Sequence, residues 1–100
     1  MKVELVNFYP FEVSSKRPRI LAYADVRLDG KILIRGIRLY EAKNGGLFIV
    51  MPEFNQETKR AIVEVEDKEL LERLRRVVVD YYKEKIKSLD LNSEGGAKNL

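Results

Sequence analysis

The chain has 100 residues, 19 Lys and Arg against 16 Asp and Glu, a formal net charge of +3, and no His, Cys or Trp. Without His or Cys there is no imidazole base, no thiolate nucleophile, no disulfide and no ordinary zinc site. The length suits one domain. The surplus of +3 permits contact with a polyanion without arguing for it.

Charge is unevenly spread. Residues 1–40 carry eight basic and four acidic side chains, residues 41–70 four and seven, and residues 71–100 seven and five. An acidic middle between two basic ends is able to fold into one basic and one acidic face. The alternative is a mixed surface that only maintains solubility. No apolar run approaches the ~20 residues of a membrane helix, and Met1-Lys2-Val3-Glu4 lacks the stretch of a signal peptide. No membrane partner and a cytoplasmic location are expected.

Val3 to Phe11 is rich in residues that suit a pleated, half-buried surface, and Pro10 marks an edge position or the strand's close. Ser14 to Pro18 is a polar turn. Ile20, Ala22, Ala24, Val26 and Leu28 then alternate, with Leu21, Tyr23, Asp25 and Arg27 on the other face. That is the period of a strand with one face buried. Asp29-Gly30 follows, the preferred pair for a two-residue type I′ turn because both residues tolerate positive φ.

The next strand is predicted from Lys31 to Tyr40. Ile32 and Ile34 share a face, yet Ile37 and Leu39 fall at odd positions, and Gly36 lies at the break. A β-bulge at Arg35-Gly36 keeps all four inside. After the Asn44-Gly45-Gly46 turn, Leu47 to Met51 is apolar on both faces and is expected as a central, doubly covered strand ended by Pro52. Residues 53–60 read as a mobile loop and Ala61 to Glu66 as a short last strand.

Asp67 is a good N-cap for a helix. Leu70, Leu71, Leu74, Val77, Val78, Tyr81 and Tyr82 form its apolar stripe, and it is expected to last to about Leu89. Val77, Val78 and Val79 are weak helix formers, so packing has to hold that turn. Residues 1–89 therefore form one domain, with 90–100 a flexible tail.

The fold class is α+β: an antiparallel sheet of four or five strands, then one long C-terminal helix. One helix covers one face. The second face of residues 47–51, together with Phe8, Tyr23 and Leu33, needs another cover, which a homodimer provides; a twisted sheet closing on itself is the alternative.

Residues 20–52, with Ile20 to Gly30, Ile37-Arg38-Leu39, and then Asn44-Gly45-Gly46-Leu47-Phe48-Ile49-Val50-Met51-Pro52, resemble the stage V sporulation protein G (SpoVG) family of bacterial septation regulators. The likeness covers roughly residues 2–88. It implies a small dimeric α+β protein that binds DNA and RNA and regulates gene expression, cell division or sporulation, through the loop after Met-Pro and the C-terminal helix. The chain departs from the family pattern where Glu53-Phe54 follows Pro52. Its basic pair arrives later as Lys59-Arg60, and Val63 to Glu66 replaces a more polar segment.

Phosphate neutralisation needs placed Lys and Arg, and three groups qualify. On the helix, Arg76, Lys83 and Lys87 cluster opposite the apolar stripe with Arg73 beside them, diluted by Glu72, Asp80 and Glu84; the alternative is an ordinary solvated face. In the loop, Lys59 and Arg60 lie near Phe54, which either stacks on a base or folds back onto the core. On the sheet, Arg27, Lys31, Arg35 and Arg38, with Lys16, Arg17 and Arg19 nearby, form a basic face on which Tyr23 or Tyr40 meets single strands, unless they pair with Asp25 and Glu41.

No enzyme constellation survives inspection. Glu64 with Glu66 and Glu53 with Glu57 are the only acid/base candidates, and nothing marks a pocket beside them. Asn44-Gly45-Gly46 lacks the strand-to-helix setting of a phosphate loop. No metal, cofactor or small-molecule substrate is called for. The runner-up function is a protein-interaction adaptor in cell division that does not touch nucleic acid.

Overall fold

The computed structural model describes residues 1–11, 16–55, 57 and 60–99, with the backbone alone described at 54, 55, 61 and 87–99. Four antiparallel strands, β1 (Val3–Pro10), β2 (Arg19–Leu28), β3 (Ile32–Glu41) and β4 (Leu47–Val50), form one sheet in the order β1-β2-β3-β4. A two-stranded ribbon, β5 (Glu53–Asn55) with β6 (Arg60–Ala61), follows, and then helix α1 (Lys68–Asn99). The architecture is the expected α+β arrangement.

Local chemistry accounts for the β2–β3 hairpin. Asp29 and Gly30 adopt φ of 54° and 66°, and the Lys31 N–H donates to the Leu28 carbonyl at 2.9 Å. This is the type I′ pattern. The ladder resumes at Leu28 and Ile32, so Lys31 is a third loop residue where two were expected.

The predicted bulge is present. Ala24 faces Ile37 and Val26 faces Ile34, leaving Arg35 and Gly36 opposite the single residue Asp25. Gly36 has φ of 80°, and its N–H donates to Asp25 Oδ1 at 3.1 Å. Ile34, Ile37 and Leu39 are buried, whereas Ile32 stays exposed beside the turn.

A second bulge falls on Leu21. Ile20 pairs with Tyr40 and Ala22 with Leu39, so the alternation expected of β2 breaks there. Leu21 turns into the core, and Ile20 joins the opposite face. Val6 is the corresponding extra residue of β1.

The helix packs on one face of the sheet. Asp67 caps it, accepting from the Glu69 and Leu70 N–H groups at 2.9 and 3.4 Å. Leu74, Val78 and Val79 are buried against Ala24, Val26, Ile37 and Leu39. Burial of two of the three valines supplies what their weak helix propensity lacks. Arg75 Nη1 donates to the Leu47 carbonyl of β4 at 3.3 Å. Further along, Phe8 of β1 lies 4.9 Å from the Tyr81 ring and 6.4 Å from that of Tyr82. The helix thus crosses from β4 to β1, and Phe8 is covered by it rather than left for a partner. It runs past the expected end near Leu89 to Asn99, with no proline after Pro52 to stop it.

Two strand expectations are corrected. β4 is an edge strand, because β3 is its sole neighbour and the chain leaves the sheet at Pro52 to form the β5–β6 ribbon. Residues 53–60, read as a loop, contain most of that ribbon. The last strand is only Arg60–Ala61; beyond it, Val63 and Val65 pack on the core without a ladder while Glu64 and Glu66 face solvent.

Gly36→Ala is expected to cost about 1–2 kcal/mol, the penalty of a Cβ in the left-handed region. No heavy atom lies within 4 Å of the position that Cβ would take, so the loss is one of backbone conformation alone. Urea denaturation measures it, and Gly36→Asn is expected to lose less.

Candidate nucleic-acid interface

Directly opposed residues of neighbouring strands share a face. On the face away from the helix, Tyr9, Tyr23, Arg38 and Val50 are successive partners across the four strands. Ile20, Tyr40 and Phe48 form the next row. Tyr40 and Phe48 stack at 5.4 Å with 10° between their planes, and Phe11 meets Tyr23 edge-on at 5.0 Å. Tyr9 is 52% exposed and Phe48 40%.

Two charged groups beneath this face are buried. Asp25, 5% exposed, accepts from the Gly36 N–H and, at 3.0 Å, from the Asn7 amide. Arg38, 8% exposed, donates through Nη2 to Glu53 Oε1 and through Nη1 to the Tyr40 hydroxyl at 3.2 Å. Arg38 therefore differs from the exposed cation expected beside Lys31 and Arg35. The β5 strand folds Glu53 back over it, and its charge is neutralised in place.

The other expected cations separate into groups. Arg73, Arg76 and Lys83 lie on the solvent face of the helix, and the Lys87 side chain lies outside the described residues. Arg76 lies 3.8 Å from Glu72, whose nearer partner is Arg75 at 2.6 Å; that hydrogen bond holds the Glu72 carboxyl below its ordinary pKa. Asp80 and Glu84 share the surface, as expected. Arg35 is exposed at the bulge, and Arg60 is exposed on β6. Lys59 and the Phe54 side chain lie outside the described residues. The helix group and Arg35 are on different faces, so the structure does not merge them into one surface on a single copy.

Arg17 and Arg19 both pair with Glu41, at 3.1 and 2.6 Å. Burial works to raise the Glu41 pKa, but the Arg19 hydrogen bond and the two neighbouring guanidinium charges outweigh it, and the net shift is downward. Among the described residues, Arg27, Lys31, Arg35, Arg73 and Lys83 have no carboxylate within ion-pair distance.

β4 pairs with β3 only from Arg38 to Glu41, so among the described residues the outer edge of β3 from Ile32 to Gly36 has no strand paired to it. An apolar cavity of ≈ 510 Å³ runs along this edge, lined by Ile32, Ile34, Pro52, Ile62, Val65 and Leu70. Ile62 is 63% exposed there. This edge gave no signal in the sequence, because it exists only where β4 stops short.

No group of acidic side chains able to hold a metal ion occurs among the described residues, and no described helix is long and apolar enough to cross a membrane. A family model, SpoVG, matches residues 1–84. No curated protein and no solved structure matches the chain.

Two outcomes are expected from the ion pairs. Glu53→Ala strips the partner from a buried guanidinium and is expected to cost about 3–5 kcal/mol, read by chemical denaturation. Glu41 is depressed in the fold, so its contribution is present above the unfolded pKa of about 4.3 and is lost as pH falls through the lower folded value. The Glu41→Gln variant is expected to show a shallower fall of thermal midpoint below pH 5 than the parent.

Proposed function

The chain belongs to the SpoVG family, and from that premise we propose that it is a nucleic-acid-binding regulator that acts on DNA or RNA as a homodimer. Family membership supports a sporulation- or septation-related role. The carrying observation for the polyanion is the division of charge. Glu41, Glu53 and Glu72 are held by arginines, while Lys31, Arg35, Arg73 and Lys83 stay exposed, and Arg27 half-buried, without a carboxylate partner among the described residues. Such unneutralised cations release counterions from a phosphate backbone when they bind it. The role is one of binding and not catalysis, in keeping with a chain that has no His and no Cys.

The second copy docks at the open edge of β3. Backbone groups without a strand partner, flanked by exposed Ile32 and Ile62 and an apolar cavity, are what strand addition needs. A two-fold operation doubles every cation in the assembly. The same edge favours the second reading, an adaptor that takes a strand from a division or regulatory protein.

Gel-shift titration with duplex DNA, single-stranded DNA and RNA at two salt concentrations tests the reading. If a dimer neutralises about six phosphates, log affinity for duplex falls with log salt at a slope of about −5. Arg73→Ala, Arg76→Ala and Lys83→Ala combined flatten that slope, and Lys59→Ala with Arg60→Ala tests the loop. Ile32→Lys with Ile62→Lys shifts sedimentation to the monomer. No binding at low salt, with a partner protein recovered after nuclease treatment, favours the adaptor instead.

A further inference from the structure

The sheet face opposite the helix carries a diagonal aromatic row in which Tyr9, Tyr23 and Phe48 are exposed, Tyr40 is half-buried and the intervening Arg38 is buried under Glu53. Tyr9 of β1 lies opposite Tyr23 of β2, Tyr23 opposite Arg38 of β3, and Tyr40, two residues further along β3, opposite Phe48 of β4. Arg38 links the two halves: its guanidinium carbon lies 5.7 Å from the Tyr40 ring centroid, and its Nη1 donates to the Tyr40 hydroxyl. The row therefore crosses all four strands at the ~4.8 Å strand spacing of a sheet.

We infer that this face is a stacking platform for single-stranded nucleic acid. The inference rests on the nucleic-acid-binding reading and names the form of ligand it takes. Exposed aromatic rings on a sheet bind splayed bases through their π-faces, which a duplex hides in its own stack. A second feature supports bases over a general apolar ligand. Beside Tyr23 a depression of ≈ 270 Å³ is lined by Gly36, Arg38, Pro52 and Glu53. The guanidinium and the carboxylate of its wall are paired with each other, so the ring is bordered by a polar, charge-neutral depression rather than by a greasy one. Gly36 has no side chain to fill the space, and no heavy atom stands within 4 Å of where a Cβ would be.

Cations flank the row on both sides, with Glu4 standing opposite Arg27 on the same face. Arg27 and Arg35 lie towards the β2–β3 turn, and Lys43 in the β3–β4 turn, all without an ion-pair partner among the described residues. They are placed to meet the backbone of a strand whose bases lie on the rings. The cations of the helix are on the other side of the sheet, so this platform is a separate surface.

Tyrosine emission tests the inference, because the chain has no Trp and three of its five Tyr, at 9, 23 and 40, belong to the row. Twelve-nucleotide oligo-dT, oligo-rU and a duplex of equal length are titrated into the full chain. Saturable quenching by the single strands and little by the duplex is expected, and the dT and rU arms tell which sugar is preferred. Tyr23→Ala and Phe48→Ala each weaken single-strand affinity by about 5- to 150-fold, one lost stack, while Tyr23→Phe keeps it. Circular dichroism verifies that each variant is folded.

Parental affinity in both alanine variants overturns the inference. So does a fall in sedimentation coefficient caused by Phe48→Ala, which makes this face the contact between copies. If the parent binds no nucleic acid at all, the functional reading fails with it. If the parent binds, and binding is lost only in the helix variant, the platform alone is wrong.

Discussion

Asp25 and Gly36 make the contact on which the arrangement of both sheet faces depends. A strand that alternates without interruption sends Ile32 and Ile34 to one side and Ile37 and Leu39 to the other. Inserting one residue at Arg35-Gly36 brings Ile34, Ile37 and Leu39 together in the core and sends Arg38 to the opposite face. The insertion leaves a backbone N–H out of the ladder, and the buried Asp25 carboxylate accepts it. A positive φ at Gly36 is the conformational condition for that bond. The Asn7 amide occupies the other carboxylate oxygen, which ties β1 to the same point. One hydrogen-bonded node thus sets the register of three strands.

The helix then decides what kind of surface the protein offers. It is anchored through Arg75 to β4 and through Tyr81 and Tyr82 to Phe8 of β1. Lys85 adds a cation over the Phe8 ring at 5.9 Å. An element that reaches from one edge strand to the other covers one face, while on the second face β5 lays Glu53 over Arg38. Among the described residues no second helix packs on that face. The aromatic rings that stay exposed are therefore a consequence of topology, and their alignment follows from the bulges.

The electrostatic pattern follows the same division. Glu41 and the two arginines that hold it sit by the β2–β3 pairing at the end remote from the Asp29 turn, and burial, with the Glu41 charge second, raises the pKa of the Tyr82 hydroxyl. Arg38 and Glu53 are consumed beneath the aromatic row. These pairs orient side chains and hold the ribbon to the sheet. What remains on the surface is a set of cations at the turns and on the solvent side of the helix, together with exposed carboxylates such as Glu64, Glu66, Asp80 and Glu84.

Much of this was legible in the amino-acid order because it is local. Asp29-Gly30 demands positive φ, the slip between Ile34 and Ile37 demands a bulge beside Gly36, and Asp67 ahead of a stripe spaced by three and four demands a capped helix. Each requirement is met within a few residues of where it is written. The edge position of β4, the burial of Arg38 under Glu53, the inward turn of Leu21 and the cover over Phe8 had no such signature. Each depends on a partner brought from far along the chain: Glu53 lies 15 residues beyond Arg38, and Tyr81 packs on a strand at the opposite end of the sequence. The amino-acid order by itself determined the first four strands, the Asp29-Gly30 turn, the bulge at Gly36, the capped start of the helix and the family likeness. Only the tertiary structure decided which cations stay free, which edge stays open and which rings face solvent, because those outcomes rest on long-range contacts that no local period encodes.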